Sequence, residues 1–94
     1  MSVKINIPSY FQYFTSGNNV VEVDGDSVIG CLKELAEKYP ELGKLLFNSE
    51  GELFNHTLNQ VAVFINGVAI HPDEMTSEVN DGDVVDLTYV ILGG

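Results

Sequence analysis

The chain has no arginine and no tryptophan, and its only cationic side chains besides histidine are Lys4, Lys33, Lys38 and Lys44. Fourteen Asp and Glu residues oppose those four lysines, for a formal net charge of −10. A surface of that sign repels nucleic acid and anionic membranes, because holding phosphate draws on Lys and Arg. The same shortage argues against ATP being held by this chain, which has neither an arginine fork nor a G-x-x-x-x-G-K-S/T loop. Any nucleotide would have to sit on a partner, and a partner with a basic docking surface would be steered toward so acidic a chain. The single cysteine, Cys31, cannot close an intramolecular disulfide, and a plant-type iron–sulfur cluster needs four. The chain opens with no basic segment followed by an apolar run, and no apolar run approaches the length that spans a bilayer. The expected setting is a reducing, cytoplasmic one, with neither membrane nor nucleic acid as partner.

What is present is enough apolar residue, 45% of 94, for one folded domain covering residues 1–94. Its most informative stretch is the last: Val85, Asp86, Leu87, Thr88, Tyr89, Val90, Ile91 and Leu92 run as an apolar strand directly into Gly93 and Gly94. Such an end reads either as fraying or as a short arm, flexible over about 90–94, held out by a rigid scaffold. Glycine lacks a Cβ, so an arm ending in two of them can enter a channel too narrow for any side chain.

Val3, Ile5 and Ile7 alternate with Lys4 and Asn6 in a strand closed by Pro8. A loop from Ser9 to Asn19 carries Tyr10, Phe11, Tyr13 and Phe14, which read as a cap on the core or as a partner-facing patch. Ser16 to Asn19 form a turn and Val20 to Val23 the second strand of a hairpin. Asp24-Gly25-Asp26-Ser27 delivers an N-cap. Val28, Leu32, Leu35, Ala36 and Tyr39 then recur at helical spacing until Pro40, with Gly30 marking a close approach to the sheet and Cys31 a buried structural thiol. Leu42, Leu45, Leu46 and Phe47 form a short second helix and Asn48 to Gly51 a turn. The segment Glu52 to Gln60 carries no clear pattern, and its sequon Asn55-His56-Thr57 is accidental in a chain without a secretory signal. His56 and His71 have no ligand-spaced companions, so no metal site is expected. Val61 to Ile65 is a strand ending at the tight-turn pair Asn66-Gly67, Val68 to Ile70 its short return, Pro72 to Glu78 a connection, Asp81-Gly82-Asp83 a second turn, and Val84 to Tyr89 the final strand.

A hairpin followed by a helical crossover requires a mixed sheet with one main helix on one face, an α+β arrangement. Val3, Ile5, Ile7, Val61, Val63, Ile65, Val85 and Leu87 point toward that helix. Ala62, Phe64, Val84, Asp86 and Thr88 point out of the other face, where Phe64 would be exposed.

In order and spacing, these pieces resemble the ubiquitin-like β-grasp proteins of the ThiS/MoaD sulfur-carrier family. The matching residues are Ile7-Pro8, Thr15 and Gly17 in the first loop, Gly25-Asp26-Ser27, the run Val61 to Gly67, Asp81-Gly82-Asp83, and Gly93-Gly94. The length between helix and third strand is similar to that of the longer carriers of molybdopterin and cysteine synthesis. Departures from the family pattern are Gln12, where those carriers often have a basic residue, and Tyr89 to Leu92, where they have Pro and small residues.

The resemblance implies a protein co-substrate rather than an enzyme. A ubiquitin-activating-like adenylyltransferase, holding ATP and magnesium itself, would adenylate the Gly94 carboxylate; a sulfur donor protein would convert it to a thiocarboxylate; a synthase would accept the sulfur. Gly93 and Gly94 would carry the chemistry, and Ala62, Phe64, Thr88, Val90, Ile91 and Leu92 the docking. The alternatives are a protein modifier conjugated through Gly94, or a β-grasp binding module without terminal chemistry.

Overall fold

The computed structural model describes residues 2–47 and 59–91, with side chains apart from those of 59–61, 72 and 89–91. Alternation of apolar and polar residues sets the opening hairpin, β1 (Val3–Asn6) against β2 (Val20–Val23). Val3, Ile5, Val21 and Val23 are buried on one face, while Lys4 and Glu22 stand exposed on the other. The Ser27 hydroxyl accepts the Gly30 N–H at 3.1 Å and starts α1 (Val28–Lys38). The buried stripe of α1 is Val28, Cys31, Leu32 and Leu35. Pro40 ends α1 and opens α2 (Pro40–Leu46), where its missing N–H is not needed. Gly43 lets the two helices close on each other, since a Cβ there would lie 2.8 Å from that of Ala36.

Strands β3 (Asn59–Ile65) and β4 (Val68–Ile70) meet across Asn66-Gly67, both at positive φ (50° and 84°), the backbone that a two-residue hairpin turn requires. A 3₁₀ turn (Pro72–Glu74) and an irregular connection lead to β5 (Val84–Ile91). The sheet order is β2-β1-β5-β3-β4, with β1 and β5 parallel and every other pair antiparallel. This is the expected mixed sheet with the main helix on one face. The last strand therefore lies in its centre, beside the first.

The base of the molecule, where β1 and β5 begin, is tied together by hydrogen bonds. The Ser2 N–H donates to Asp81 Oδ1 at 2.7 Å, and the Gly82 N–H to the Ser2 carbonyl at 2.8 Å. The Val28, Ile29 and Val79 N–H groups reach the Ser77, Met75 and Asp26 carbonyls at 2.8–3.1 Å, tying the helix start to the loop before β5.

Five sequence expectations change. Ser9–Thr15 is a 3₁₀ helix rather than a loop, and its i, i+3 spacing sorts the four aromatics. Phe11 is buried and Phe14 packs partly buried on the core, while Tyr10 and Tyr13 are 52% and 87% exposed. Gly30 approaches its own cap, where a Cβ would lie 3.0 Å from Ser27 Oγ, and not the sheet. The demanding glycine is Gly25, whose Cβ would lie 2.7 Å from the Cys31 backbone nitrogen. The connection after β4 supplies Met75 and Val79 to the core, because its carbonyls and N–H groups are bonded to the start of α1. Phe64 is half-buried, with Asp86 and Ala69 flanking it in register. Finally, β5 runs past Tyr89 to Ile91, because Gln60 and Asn59 extend β3 opposite Val90 and Ile91.

The arm expected over about 90–94 thus begins with two paired residues. Leu92, Gly93 and Gly94 lie outside the described residues, as do the expected turn at 48–51, His56 and the sequon around it. The inward side chain expected at Val61 is likewise not described.

Candidate partner interface and the root of the tail

The face of the sheet turned away from α1 is ordered by register into rows. One row crosses all five strands as Val20, Asn6, Asp86, Phe64 and Ala69. The next row pairs Ala62 with Thr88. Ala62, Phe64 and Thr88 are half-buried, and none of the described helices covers them. The Asn6 amide donates to Asp86 Oδ1 at 2.8 Å, which fixes the one carboxylate on this row beside β1 and turns the Phe64 side of the face apolar.

Charge is distributed unevenly along the sheet. Residues 5–21 and 87–94 contain no charged side chain, and neither does 57–70. These segments include the 3₁₀ helix, the start of β3 and the end of β5, all at the end from which the tail leaves. The carboxylates of Asp24, Asp26, Asp81 and Asp83 gather at the base. There Asp83 accepts from the Asn80 N–H at 2.7 Å and from the Asn66 amide at 3.1 Å, and Asn66 Oδ1 accepts the Val84 N–H at 3.0 Å. Those donors, the backbone one first, hold the Asp83 carboxyl below its ordinary value. This knot joins the β3–β4 turn to the start of β5.

Cys31 is fully buried, its thiol donating to the Gly25 carbonyl at 3.4 Å. Burial, then the charges of Glu34 and Asp26, pushes its pKa up to about 11, so it stays a thiol and is no nucleophile. His71 is exposed, and its backbone N–H donates to the Glu74 carboxylate at 2.8 Å. Among the described residues no group of three or more His, Cys, Asp or Glu is placed to hold a metal ion. No described helix is long and apolar enough to cross a membrane.

Of the residues expected to dock a partner, Ala62, Phe64 and Thr88 come together on one face, and Val90 and Ile91 continue the same strand toward the tail. The exposed Tyr10 and Tyr13 were legible only as members of an aromatic cluster. A 3₁₀ reading of their spacing would have separated them from Phe11 and Phe14.

Comparison with known proteins agrees with this architecture. The model of the ThiS family matches residues 7–94. SAMP1 from Haloferax volcanii superposes with a TM-score of 0.81 at 26% identity, over 100% of both chains. A chain of the Amycolatopsis orientalis BexX/CysO complex does so with a TM-score of 0.77 at 24% identity, over 98% of this chain and 99% of that one. For Urm1 from Trypanosoma brucei the values are 0.71 and 20%, over 99% and 95%. At those identities the last two bear on the fold alone. No curated protein sequence matches the chain.

Proposed function

Because the chain belongs to the ThiS family, we propose that it is a sulfur carrier whose Gly94 carboxylate is the reacting group. The observation that carries this reading is a central strand that is still paired at Ile91, with only Leu92 between it and Gly93-Gly94. A carboxylate is a poor electrophile: its charge repels nucleophiles and its leaving group would be oxide. Attack of that carboxylate on the α-phosphorus of ATP, held with magnesium by a ubiquitin-activating-like partner, expels pyrophosphate and leaves an acyl adenylate. Hydrosulfide then displaces AMP and leaves a thiocarboxylate; a donor persulfide does the same once a second thiol has reduced the acyl disulfide. The thiocarboxylate sulfur attacks an acceptor on a synthase of molybdopterin-like or sulfur amino-acid synthesis.

This chain contributes the terminus and the surface that presents it. Two glycines allow the partner to enclose the backbone closely and keep water from the adenylate. Ala62, Phe64 and Thr88, with Val90, Ile91 and Leu92 beyond them, form the docking surface. The chain holds no nucleotide itself, in keeping with its four lysines and absent arginines. It works in the cytoplasm.

A second reading, conjugation through Gly94 to lysines of other proteins, is favoured by one observation: a similar structure is that of H. volcanii small archaeal modifier protein 1 (TM-score 0.76). Intact mass after co-expression with the activating enzyme separates the two. Replacement of one oxygen by sulfur supports the carrier, ladders of larger conjugates support the modifier, and unchanged mass with no conjugates overturns both.

A further inference from the structure

Among the described residues, the backbone hydrogen bonds of β5 leave one of its edges unpaired next to the tail. In a strand, successive residues turn their N–H and C=O groups to opposite sides. The Lys4 N–H donates to the Asp83 carbonyl at 3.0 Å, so the odd-numbered residues of β5 face β1. The Asn66 N–H donates to the Val84 carbonyl at 2.8 Å, so the even-numbered ones face β3. The β3 side is paired along the whole of β5, to Asn59 opposite Ile91. The β1 side is paired only as far as Asn6 opposite Asp86.

Pro8 is the reason it stops. It has no N–H with which to continue the ladder, and its carbonyl accepts the Phe11 N–H at 2.9 Å as the chain turns into the 3₁₀ helix. That helix packs on α2. Among the described residues, then, no strand stands beside the backbone groups of Tyr89 and Ile91 on the side that β1 has left.

We propose that this edge, the Tyr89 and Ile91 backbone facing away from β3, is where an extended segment of the activating enzyme adds as a further strand, next to the tail it must handle. The inference rests on the carrier-or-modifier reading above. Three observations fix the occupant. A row of strand N–H and C=O groups is complemented by another extended backbone and by little else. Residues 87–94 carry no charged side chain in a chain of net charge −10, so the segment that pairs there is apolar or neutral rather than basic. Gly94 lies three residues beyond Ile91, at most about 11 Å of chain, so a strand seated on this edge belongs to the wall of the site that takes the carboxylate. The β2 edge of the sheet is occupied by side chains of α1: the Lys38 ammonium donates to the Glu22 carbonyl at 3.1 Å and the Glu34 carboxylate accepts the Asp24 N–H at 3.0 Å.

Amide hydrogen exchange read residue by residue tests this, on the full chain alone and with its adenylating enzyme, ATP and magnesium. The expected result is an alternation. The Thr88 and Val90 amides exchange slowly in both samples; those of Tyr89 and Ile91 exchange fast in the free chain and slowly in the complex. An Ile91→Pro variant, which removes the edge donor, keeps its β3 pairing and binds the enzyme about tenfold more weakly than Ile91→Ala, which truncates the same side chain but keeps the N–H. A complex that forms and adenylates with the Tyr89 and Ile91 amides still exposed overturns this inference and leaves the carrier reading standing. Failure of any adenylating enzyme to act on the chain overturns both. Protection of the same amides in the free chain that grows with its concentration overturns it in favour of a second copy.

Discussion

The two ends of the sheet are built differently. At the base, side chains and backbone are used to close the structure: Asn66 and Asp83 tie two turns together, Ser2 is bonded to the loop ahead of β5, and the start of α1 is tied to the connection after β4. At the other end Pro8 and Pro72 stop β1 and β4 and β3–β5 continues as a two-stranded ribbon, carrying no charge toward the glycines. One end supplies stability, and on the proposed function the other is left for a partner to complete. On the proposed function the two tasks are separable, because the reacting atoms lie beyond Leu87, the last core residue among the described side chains.

The largest effect that would test this division is at the tail. Deleting Gly94, adding one residue after it, or making Gly93→Ala should reduce ATP–pyrophosphate exchange by about 100-fold or more, since one residue moves the reacting carbon by roughly 3.3 Å. Thermal unfolding should be unchanged within about 0.5 kcal/mol. Retained exchange, or a loss of stability, would break the separation between the ends. The converse substitution is Gly25→Ala at the base. Its Cβ meets backbone at 2.7 and 2.9 Å, and the shift it forces should cost about 1–3 kcal/mol, lowering the unfolding midpoint while the folded fraction is adenylated at the normal rate.

Phe64→Ala sharpens the picture of the uncovered face. Half-buried beside Ala62, it should weaken enzyme binding by about 1 kcal/mol with small change in stability, by titration calorimetry; unchanged affinity would remove the face from the docking surface. A smaller effect concerns acid. The Asp83 carboxyl is held below its ordinary 3.8, so its contribution is present above that value and is lost as pH falls through the lower, folded one. Asn66→Ala removes one of the two donors, so the stability difference between wild type and variant should narrow below about pH 4; a gap constant with pH would mean that the Asp83 interaction is not the one lost. The smallest effect is that of salt. The net charge of −10 by itself predicts steering of a basic partner. The gathering of carboxylates at the base makes the expected loss of on-rate between low and physiological salt only about threefold or less, measured by stopped flow. A steep dependence would place the charged face, and not the tail end, in the encounter.

The succession of strands and helix along the chain was legible because Val3-Ile5-Ile7, Val61-Val63-Ile65 and the Val28–Leu35 stripe each have one dominant period, and Asn66-Gly67 admits hardly any other turn. The family followed from the joint spacing of pieces that are individually weak. The 3₁₀ helix was not legible, since Tyr10, Phe11, Tyr13 and Phe14 are all large and apolar, and only packing tells which pair is inward. The end of β5 was not legible either: Val90 and Ile91 are equally at home in a strand or a tail, and what decides is the pairing with Gln60 and Asn59, polar residues with no strand signature of their own. The unpaired edge depends on hydrogen-bond parity between distant strands, which no local pattern encodes, although Pro8 marks where to look for it.

The central place of β5 bears on how the chain is made. Synthesis delivers residues in order at roughly 5–20 per second, and β5 comes after every other described element. Until it arrives, β1–β2 and β3–β4 are separate hairpins, and an isolated hairpin is marginally stable at best. Neither can join the other, because each pairs with β5 and not with its counterpart. A product cut short on the ribosome by even a dozen residues is therefore not a shortened domain but an unfolded chain, open to proteolysis. On the proposed function, folding acts as an inspection of the reacting end, so that molecules which reach the activating enzyme in native form are those in which the strand leading to the glycines has been built.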